Sequence, residues 1–557
     1  MRSNSVLQIA MLALSGCATI PPVRPPVEVQ ILAFNDFHGN LEPPGLTIAA
    51  ADGEVPAGGA AFLATALRQS RIANSITVSA GDVIGASPLI SSLFLDEPTV
   101  DAMNAIGLDL NAVGNHEFDR GAAELQRMQA GGCQKYTSRI PCRVEPFGGA
   151  RFRFLAANVF GADGRTIFPG TALRQVGGIG IGFIGMTLRE TPTMVVPTGV
   201  AGLRFADEVT TANAAAAQLV AAGAQAVVLL IHQGGAIAGR FDDQSCPGLD
   251  GAIVAIVAAL DPAIEVVVSG HTHNAYICHL PRPGGGERLL TSAGKYGTLV
   301  ADIRLSFAGG RLAGEKAGFV IVQGAAIANA KQSVPINPAH PLFAADPAVA
   351  AIVARYHAAS AKEGERVVGH LGGVAAMGPG ESGAAAVVAD SMWFFAKSDF
   401  ALTNSGGARA DLIPGPGGAV TFAQITALEP FANRLITTTM TGAAVKAVLE
   451  QAFASGTNSA ERPNVLIPSA NVHVDYDLSR PAGDRVTRVT VDGKPLDPAR
   501  LYRVTVPNFL ADGGDNFTLF RGGTDAVERG GDLEAMEAWL ATSPPAPTLG
   551  RAVDTTP

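Results

Sequence analysis

From about residue 27 to residue 325, short β-branched apolar runs alternate with Ala- and Leu-rich stretches. The runs lie at 28–34, 76–79, 112–113, 151–156, 179–184, 226–231 and 264–268. Between them, 59–71, 99–106, 207–222 and 249–260 carry apolar residues at helical spacing. The alternation predicts an α/β unit. A segment dotted with Pro335, Pro338, Pro341 and Pro347 follows, then one amphipathic helix over 348–362. A second α/β unit is expected from about 366 to 545. The expected division is a leader over 1–16, a Pro-rich tether over 17–27, a large unit over 28–325, a linker with its helix over 326–365, a smaller unit over 366–545 and a tail over 546–557. No internal repeat is visible.

Composition narrows the functional classes. The chain has 557 residues, 47% of them hydrophobic and 16% charged, which excludes a disordered chain. Its Gly and Pro show no period, so it is not collagen-like. With 40 basic and 49 acidic residues the net charge is −9, and an acidic surface argues against binding nucleic-acid polymers. Single nucleotides are not excluded, because one arginine or metal ion can dominate a pocket.

The polar residues with chemistry to offer sit just after the apolar runs. Asn35-Asp36-Phe37-His38-Gly39 follows the first, and Gly81-Asp82 the second. Gly114-Asn115-His116-Glu117-Phe118-Asp119, His232 and Gly270-His271-Thr272-His273 follow three others. Ligands of α/β sheets gather at the carboxyl ends of strands, so all five segments can point into one crevice. Each alone is weak, since an Asp beside Gly is usually a turn residue and a lone His usually a rim residue. Together they hold five of the chain's 10 histidines. Gly180, Gly182 and Gly185 spell a dinucleotide-binding fingerprint, but they lie inside an apolar run rather than between strand and helix, so a tightly packed strand is expected instead.

Asp, Asn and His together suit Mn, Zn, Fe, Co and similar divalent ions. Eight polar side chains exceed the needs of one ion; with one shared carboxylate, seven serve two. Two ions roughly 3.5–4 Å apart suit in-line attack of activated water on a phosphoryl centre.

Asp-x-His, Gly-Asp, Gly-Asn-His-Glu, His and Gly-His-x-His, in that order, resemble the calcineurin-like metallophosphoesterases. More closely, they resemble the bacterial 5′-nucleotidase / UDP-sugar hydrolase / 2′,3′-cyclic phosphodiesterase family. Glu381-Ser382 with Val387-Val388-Ala389-Asp390, Asn404-Ser405-Gly406-Gly407-Ala408-Arg409, Pro430-Phe431-Ala432-Asn433, and Asn508-Phe509 with Gly513-Gly514-Asp515 look like that family's C-terminal motifs. The resemblance implies a four-layer αββα metallophosphoesterase sandwich, a linker helix and a smaller α/β substrate-binding domain. It implies one metal held by Asp36, His38, Asp82 and His273, and another by Asp82, Asn115, His232 and His271. His116 would serve the leaving oxygen. Asp119 would orient that imidazole, cap the following helix, or both. Phe431 and Phe509 would sandwich a base, Arg409 would fork onto phosphate or ribose, and Asn404, Gly407, Asn433 and Asp515 would complete the pocket. The family usually places arginines just before the Glu-Ser block; here 372–380 contains none.

The expected activity is therefore metal-dependent hydrolysis of nucleotide phosphate esters of the 5′-nucleotidase type. A 2′,3′-cyclic phosphodiesterase/3′-nucleotidase, a related thiosulfohydrolase and a non-catalytic binding lipoprotein are the alternatives. The small-molecule nucleotide is the expected partner. Function is expected to need the two units to close about the linker helix.

The N-terminus supplies an address. Arg2, an apolar stretch from Val6 to Leu14, and Leu14-Ser15-Gly16-Cys17 resemble the signal and lipobox of bacterial lipoproteins. The expectation is lipidation at Cys17 and a periplasm-facing anchor, with Ala18 fitting the outer membrane. An exported chain permits disulfides, and Cys133–Cys142 with Cys246–Cys278 is the favoured pairing of the four other cysteines; without any CxxC pair, a zinc site is disfavoured.

Overall fold

The strands that end at the predicted ligands are apolar on both faces because both faces are covered. In the strand Val27–Phe34, Val29, Ile31 and Ala33 enter a core between two sheets, while Leu32 and Phe34 enter another core under helices. Full burial of one such side chain contributes about 1.5–3 kcal/mol. The structure, a computed structural model, describes residues 26–137, 139–328, 332–378 and 380–557. Cys17 and the leader lie outside the described residues.

One six-stranded sheet runs, in spatial order, Arg311–Ile321, Leu299–Ala308, Val27–Phe34, Ser75–Ser79, Leu110–Ala112 and Arg153–Leu155. The other runs Ala275–Pro281, Glu287–Ala293, Ile264–Ser269, Ala226–His232, Ile179–Thr187 and Thr171–Val176. Their inner faces pack on each other. Helices Ala60–Ser70, Glu97–Ile106 and Pro347–Gly364 cover the first sheet, and Glu208–Ala221 with Ala252–Ala259 the second. This is the four-layer αββα sandwich. In each sheet the central strands run parallel, so their carboxyl ends share one edge.

Several elements depart from expectation. Four strands between 275 and 321, paired antiparallel two by two, lie outside the apolar runs that predict strands. In Leu299–Ala308, buried Ile303, Leu305 and Phe307 alternate with half-buried Asp302, Arg304 and Ser306, so one face is partly solvated and no continuous apolar run forms. The helix expected at 249–260 is shorter, Ala252–Ala259, because Gly251 sits at φ 125° and stops it. Gly180, Gly182 and Gly185 lie inside the strand Ile179–Thr187, as a packed strand requires.

The second unit has a five-stranded sheet in the order Leu466–Pro468, Phe400–Asn404, Leu501–Pro507, Arg434–Thr441, Thr524–Gly531. Helix Gly383–Ala396 packs on it, opened by Ser382, whose side chain accepts from Ala385 N. The residues read as a tail, 546–557, are built into this unit. Ala552–Asp554 adds in parallel to the strand Val472–Tyr476. Arg551, 4% exposed, forks onto Asp390 at 2.8 Å, while Glu381 accepts from the backbone of Gly550 and Arg551. A three-residue strand is too short to show as a pattern; a buried ion pair holds it. Cys133 is bonded to Cys142 and Cys246 to Cys278. Among the described residues no helix is long and apolar enough to cross a membrane.

Candidate active site

Five loops leave the shared carboxyl edge, three from one sheet and two from the other, and close on one cleft. The loop after Val27–Phe34 carries Asp36 and His38, that after Ser75–Ser79 carries Asp82, and that after Leu110–Ala112 carries Asn115 and His116. From the facing sheet, Ala226–His232 ends in His232, and the loop after Ile264–Ser269 carries His271 and His273. Asp36, His38, Asp82, His271 and His273 all have φ between 47° and 71°. Left-handed backbone at five neighbouring non-glycine residues is costly and marks a site whose geometry is set by function. The motifs' glycines make room for the crowding. A Cβ on Gly114 would lie 2.2 Å from Asp82 Oδ1, and one on Gly81 would lie 2.6 Å from His232 Nδ1.

The donor atoms form two groups. Asp36, His38 and His273 make one, and Asp82, His232 and His271 the other, each with its ligand atoms within 4.8 Å of one another. Asp82 Oδ2 lies 2.9 Å from His232 Nε2 and 3.7 Å from His38 Nε2, so this carboxylate stands between the groups. Asn115 Oδ1 joins the second group, 3.1 Å from His271 Nδ1.

The chemistry of the donors fits cations. His38 Nδ1 is 2.9 Å from the Gly85 carbonyl and His232 Nδ1 is 2.8 Å from that of Ala80. Each ring therefore donates with Nδ1 and turns the lone pair of Nε2 inward, the usual outer support of a metal-binding imidazole. Those lone pairs face other acceptors: His38 Nε2 lies 3.1 Å from His273 Nε2, and buried His232 Nε2 faces Asp82. Burial holds His38 and His273 well below the usual histidine range and, with His232, pushes His271 down to about 3. These imidazoles stay neutral, the form that ligates. Burial opposes charge on Asp82 too, but His232, His116 and His38 hold it well below the carboxylate range. Burial also opposes charge on His232, yet Asp82 and Asp36 push it up to about 10. A divalent ion would take the place of the proton drawn there.

The sequence pattern gives Glu117 no role of its own, and the structure gives it a task. Buried, it accepts from the backbone N–H of Asp82 at 2.9 Å, Val83 at 2.9 Å and Gly114 at 2.6 Å, and from Asn111 Nδ2 at 3.1 Å. One carboxylate thereby ties the loop of Asp82 to that of Asn115. His116 Nδ1 lies 2.9 Å and 3.0 Å from the oxygens of Asp119, which also accepts from Ala86 N at 2.9 Å. Burial works against charge on His116, but Asp119 and Asp82 outweigh it and raise its pKa. Asp119 caps no helix: Ala122–Ala130 starts from Gly121 without a side-chain cap.

The second unit closes over this cleft. A cavity of about 240 Å³ is lined by Asn115, His116, Asp119 and His271 together with Asn404, Gly407, Arg409, Phe431, Asn433, Phe509 and Asp515. Phe431 stacks on the His116 ring, centroids 5.8 Å apart and planes 20° from parallel. Phe431 and Phe509 are half-buried, and Phe509 also packs against the core of the second unit. Asn404 Nδ2 donates to Asp515 Oδ2 at 2.7 Å, and burial pushes Asp515 up to about 6. Met194, Val195 and Val196, from the first unit, wall the same cavity; nothing in their local pattern marks them.

Ala432, between Phe431 and Asn433, has φ 55°. A Cβ in left-handed backbone costs about 1–2 kcal/mol. Ala432→Gly is expected to raise the thermal midpoint by a few degrees, read by calorimetry; an unchanged or lower midpoint would show the turn to be unstrained.

A family model described as the 5′-nucleotidase C-terminal domain matches residues 367–522. The chain is 25% identical to the human 5′-nucleotidase over 92% of this chain and 88% of that protein. It superimposes on a 5′-nucleotidase precursor from Thermus thermophilus with a TM-score of 0.75 and 25% identity, covering 95% of this chain and 100% of that one. The chain belongs to the 5′-nucleotidase family. It is a metal-dependent phosphoesterase, and the two donor groups account for two divalent ions. A protein of Acinetobacter calcoaceticus, described as an uncharacterized protein in the pqq-V 5′ region, is 48% identical over 194 residues, 31% of this chain and 95% of that protein.

Proposed function

We propose that the chain hydrolyses the 5′-phosphate ester of nucleotides. The observation that carries this reading is the single cavity in which a pair of half-buried phenylalanines faces the His116 side of the metal cleft. Divalent ions bound there supply charge neutralisation for the phosphoryl oxygens and lower the pKa of water. Asp36, His38, Asp82 and His273 would hold one ion; Asp82, Asn115, His232 and His271 would hold the other. His116, its Nδ1 fixed by Asp119, keeps a proton at Nε2 for the departing ester oxygen. Phe431 and Phe509 stack on the base, contributing about 1–3 kcal/mol. Asn433 offers its amide to the base edge and Asp515, turned by Asn404, accepts from ribose hydroxyls. Arg409 reaches the cleft itself, where its charge disfavours protonation of His38, His116, His271 and His273.

We also propose that the linker over 326–365 lets the two units part and close, since substrate groups come from both. The sequence through Cys17 supports export and lipid anchoring in the cell envelope, and the two disulfides suit that compartment.

A phosphate-release screen of the purified chain tests the central reading, with AMP, ADP, 2′,3′-cyclic AMP, UDP-glucose and an aryl phosphate, with and without EDTA. AMP is expected to lead, and EDTA to stop turnover. Phe431→Ala with Phe509→Ala should raise KM for AMP roughly 10- to 100-fold while sparing the aryl phosphate. Equal turnover of AMP and aryl phosphate, indifferent to both substitutions, would overturn the nucleotide assignment. Preference for the cyclic ester would favour the phosphodiesterase alternative.

A further inference from the structure

The loop after strand Glu287–Ala293 brings two residues to the metal cleft that neither the sequence motifs nor the nucleoside cavity include. Tyr296 N donates to the Asp36 carbonyl at 2.8 Å. Its ring meets His38 and His273 edge-on, with centroids 5.9 Å and 5.8 Å away. Tyr296 has φ 58°, a strained backbone for a bulky residue beside the ligands. Lys295 lies half-buried next to it, Nζ 4.9 Å from the Tyr296 ring centroid.

Among the described residues, Lys295 has no carboxylate within 4.0 Å, and neither does Arg409. The two cations come from different units and feel each other. Burial first, and then the charge of Arg409, lower the pKa of Lys295, with only Asp36 opposing. Lys295 in turn disfavours a proton on His273. Both are half-buried and each lies over an aromatic ring, Lys295 over Tyr296 and Arg409 over Phe431, so beside a cleft that also gathers divalent ions they leave their charge available to an anion. The stretch 372–380 offers no positive side chain of its own.

We propose that Lys295, held on the Tyr296 ring that packs against His38 and His273, is a second phosphate-binding cation beside the Arg409 that lines the cavity with His116 and His271, and that it selects a dianionic phosphoryl group over a monoanionic diester. This rests on the phosphoesterase reading. A further positive charge on the terminal oxygens favours the group with two negative charges and the orthophosphate released from it.

The test compares the wild-type, Lys295→Met, Lys295→Gln and Lys295→Arg chains loaded with metal. Competitive inhibition by orthophosphate, calorimetric titration of orthophosphate, and kcat/KM for 4-nitrophenyl phosphate and bis(4-nitrophenyl) phosphate are measured beside metal content. Loss of one charge-assisted hydrogen bond should weaken orthophosphate binding about 10- to 100-fold in Lys295→Met and Lys295→Gln. The monoester-to-diester ratio should fall in step, the metal content should stay at two, and Lys295→Arg should recover most of the loss. Orthophosphate affinity and ester ratio unchanged in either neutral variant, with two metals retained, would overturn the proposal. A wild-type chain that turns over neither ester fails the hydrolase reading instead, and the orthophosphate titration still decides the role of Lys295.

Discussion

Asp82→Asn is expected to cost the protein both metal ions together. The wild-type carboxylate offers Oδ2 between the two donor groups, 2.9 Å from His232 Nε2 and 3.7 Å from His38 Nε2. Its Oδ1 accepts from His116 N at 2.9 Å, which fixes the plane of the group. Asparagine has one neutral oxygen and an NH2 with two hydrogens, so it cannot serve two cations, and the NH2 would either point at an ion or engage an imidazole lone pair that the ion needs. Changes to groups that only support ligands lower affinity about 10- to 100-fold; removal of the shared ligand should exceed that and reduce turnover by at least about 10³-fold. Elemental analysis after dialysis should find fewer than one ion per chain, against two in the wild type. Asp36→Asn, whose carboxylate belongs to one donor group and lies 3.9 Å from His232 of the other, should leave one ion behind. Two ions retained in Asp82→Asn would mean that this carboxylate does not bridge.

His116→Ala should do the reverse: leave the ions in place and remove most of the rate. The backbone N–H of His116 holds Asp82 and survives the substitution, whereas the imidazole, tied to Asp119, faces the cavity shared with Phe431. A positioned proton donor is worth about 10²–10⁴-fold. The fall should therefore lie in that range for an alkyl phosphate such as AMP and be smaller for an aryl phosphate, whose leaving oxygen needs a proton less. Asp119→Asn should lose less than His116→Ala, since it disturbs orientation and spares the ring. Full activity in His116→Ala, with metal content checked, would remove the imidazole from the chemistry.

How much of the site could be read in advance depended on the kind of residue. Asp36, His38, Asp82, Asn115, His232, His271 and His273 stood out because each polar group follows an apolar run, and a strand end is visible in one dimension. The cavity residues Phe431 and Phe509 were legible only through motifs, since a phenylalanine in isolation reads as core. Glu117 sat inside a recognised block, yet its work as a tie between two loops appears only where the loops meet. Met194 to Val196 and Lys295 carried no signal, because their roles depend on what lies opposite them.

The order of apolar runs and polar strand ends determined by itself that this is an α/β chain with two metal-ligand sets and a second unit beside it. Periodicity and strand-end chemistry are local properties and survive in the linear text. Only the tertiary structure decided that three ligand loops come from one sheet and two from its partner, that a strand at Ala552–Asp554 completes the second unit, and that Tyr296, with Lys295 on its ring, packs against His38 and His273. Those facts depend on distances between residues hundreds of positions apart, which packing sets and sequence spacing does not record.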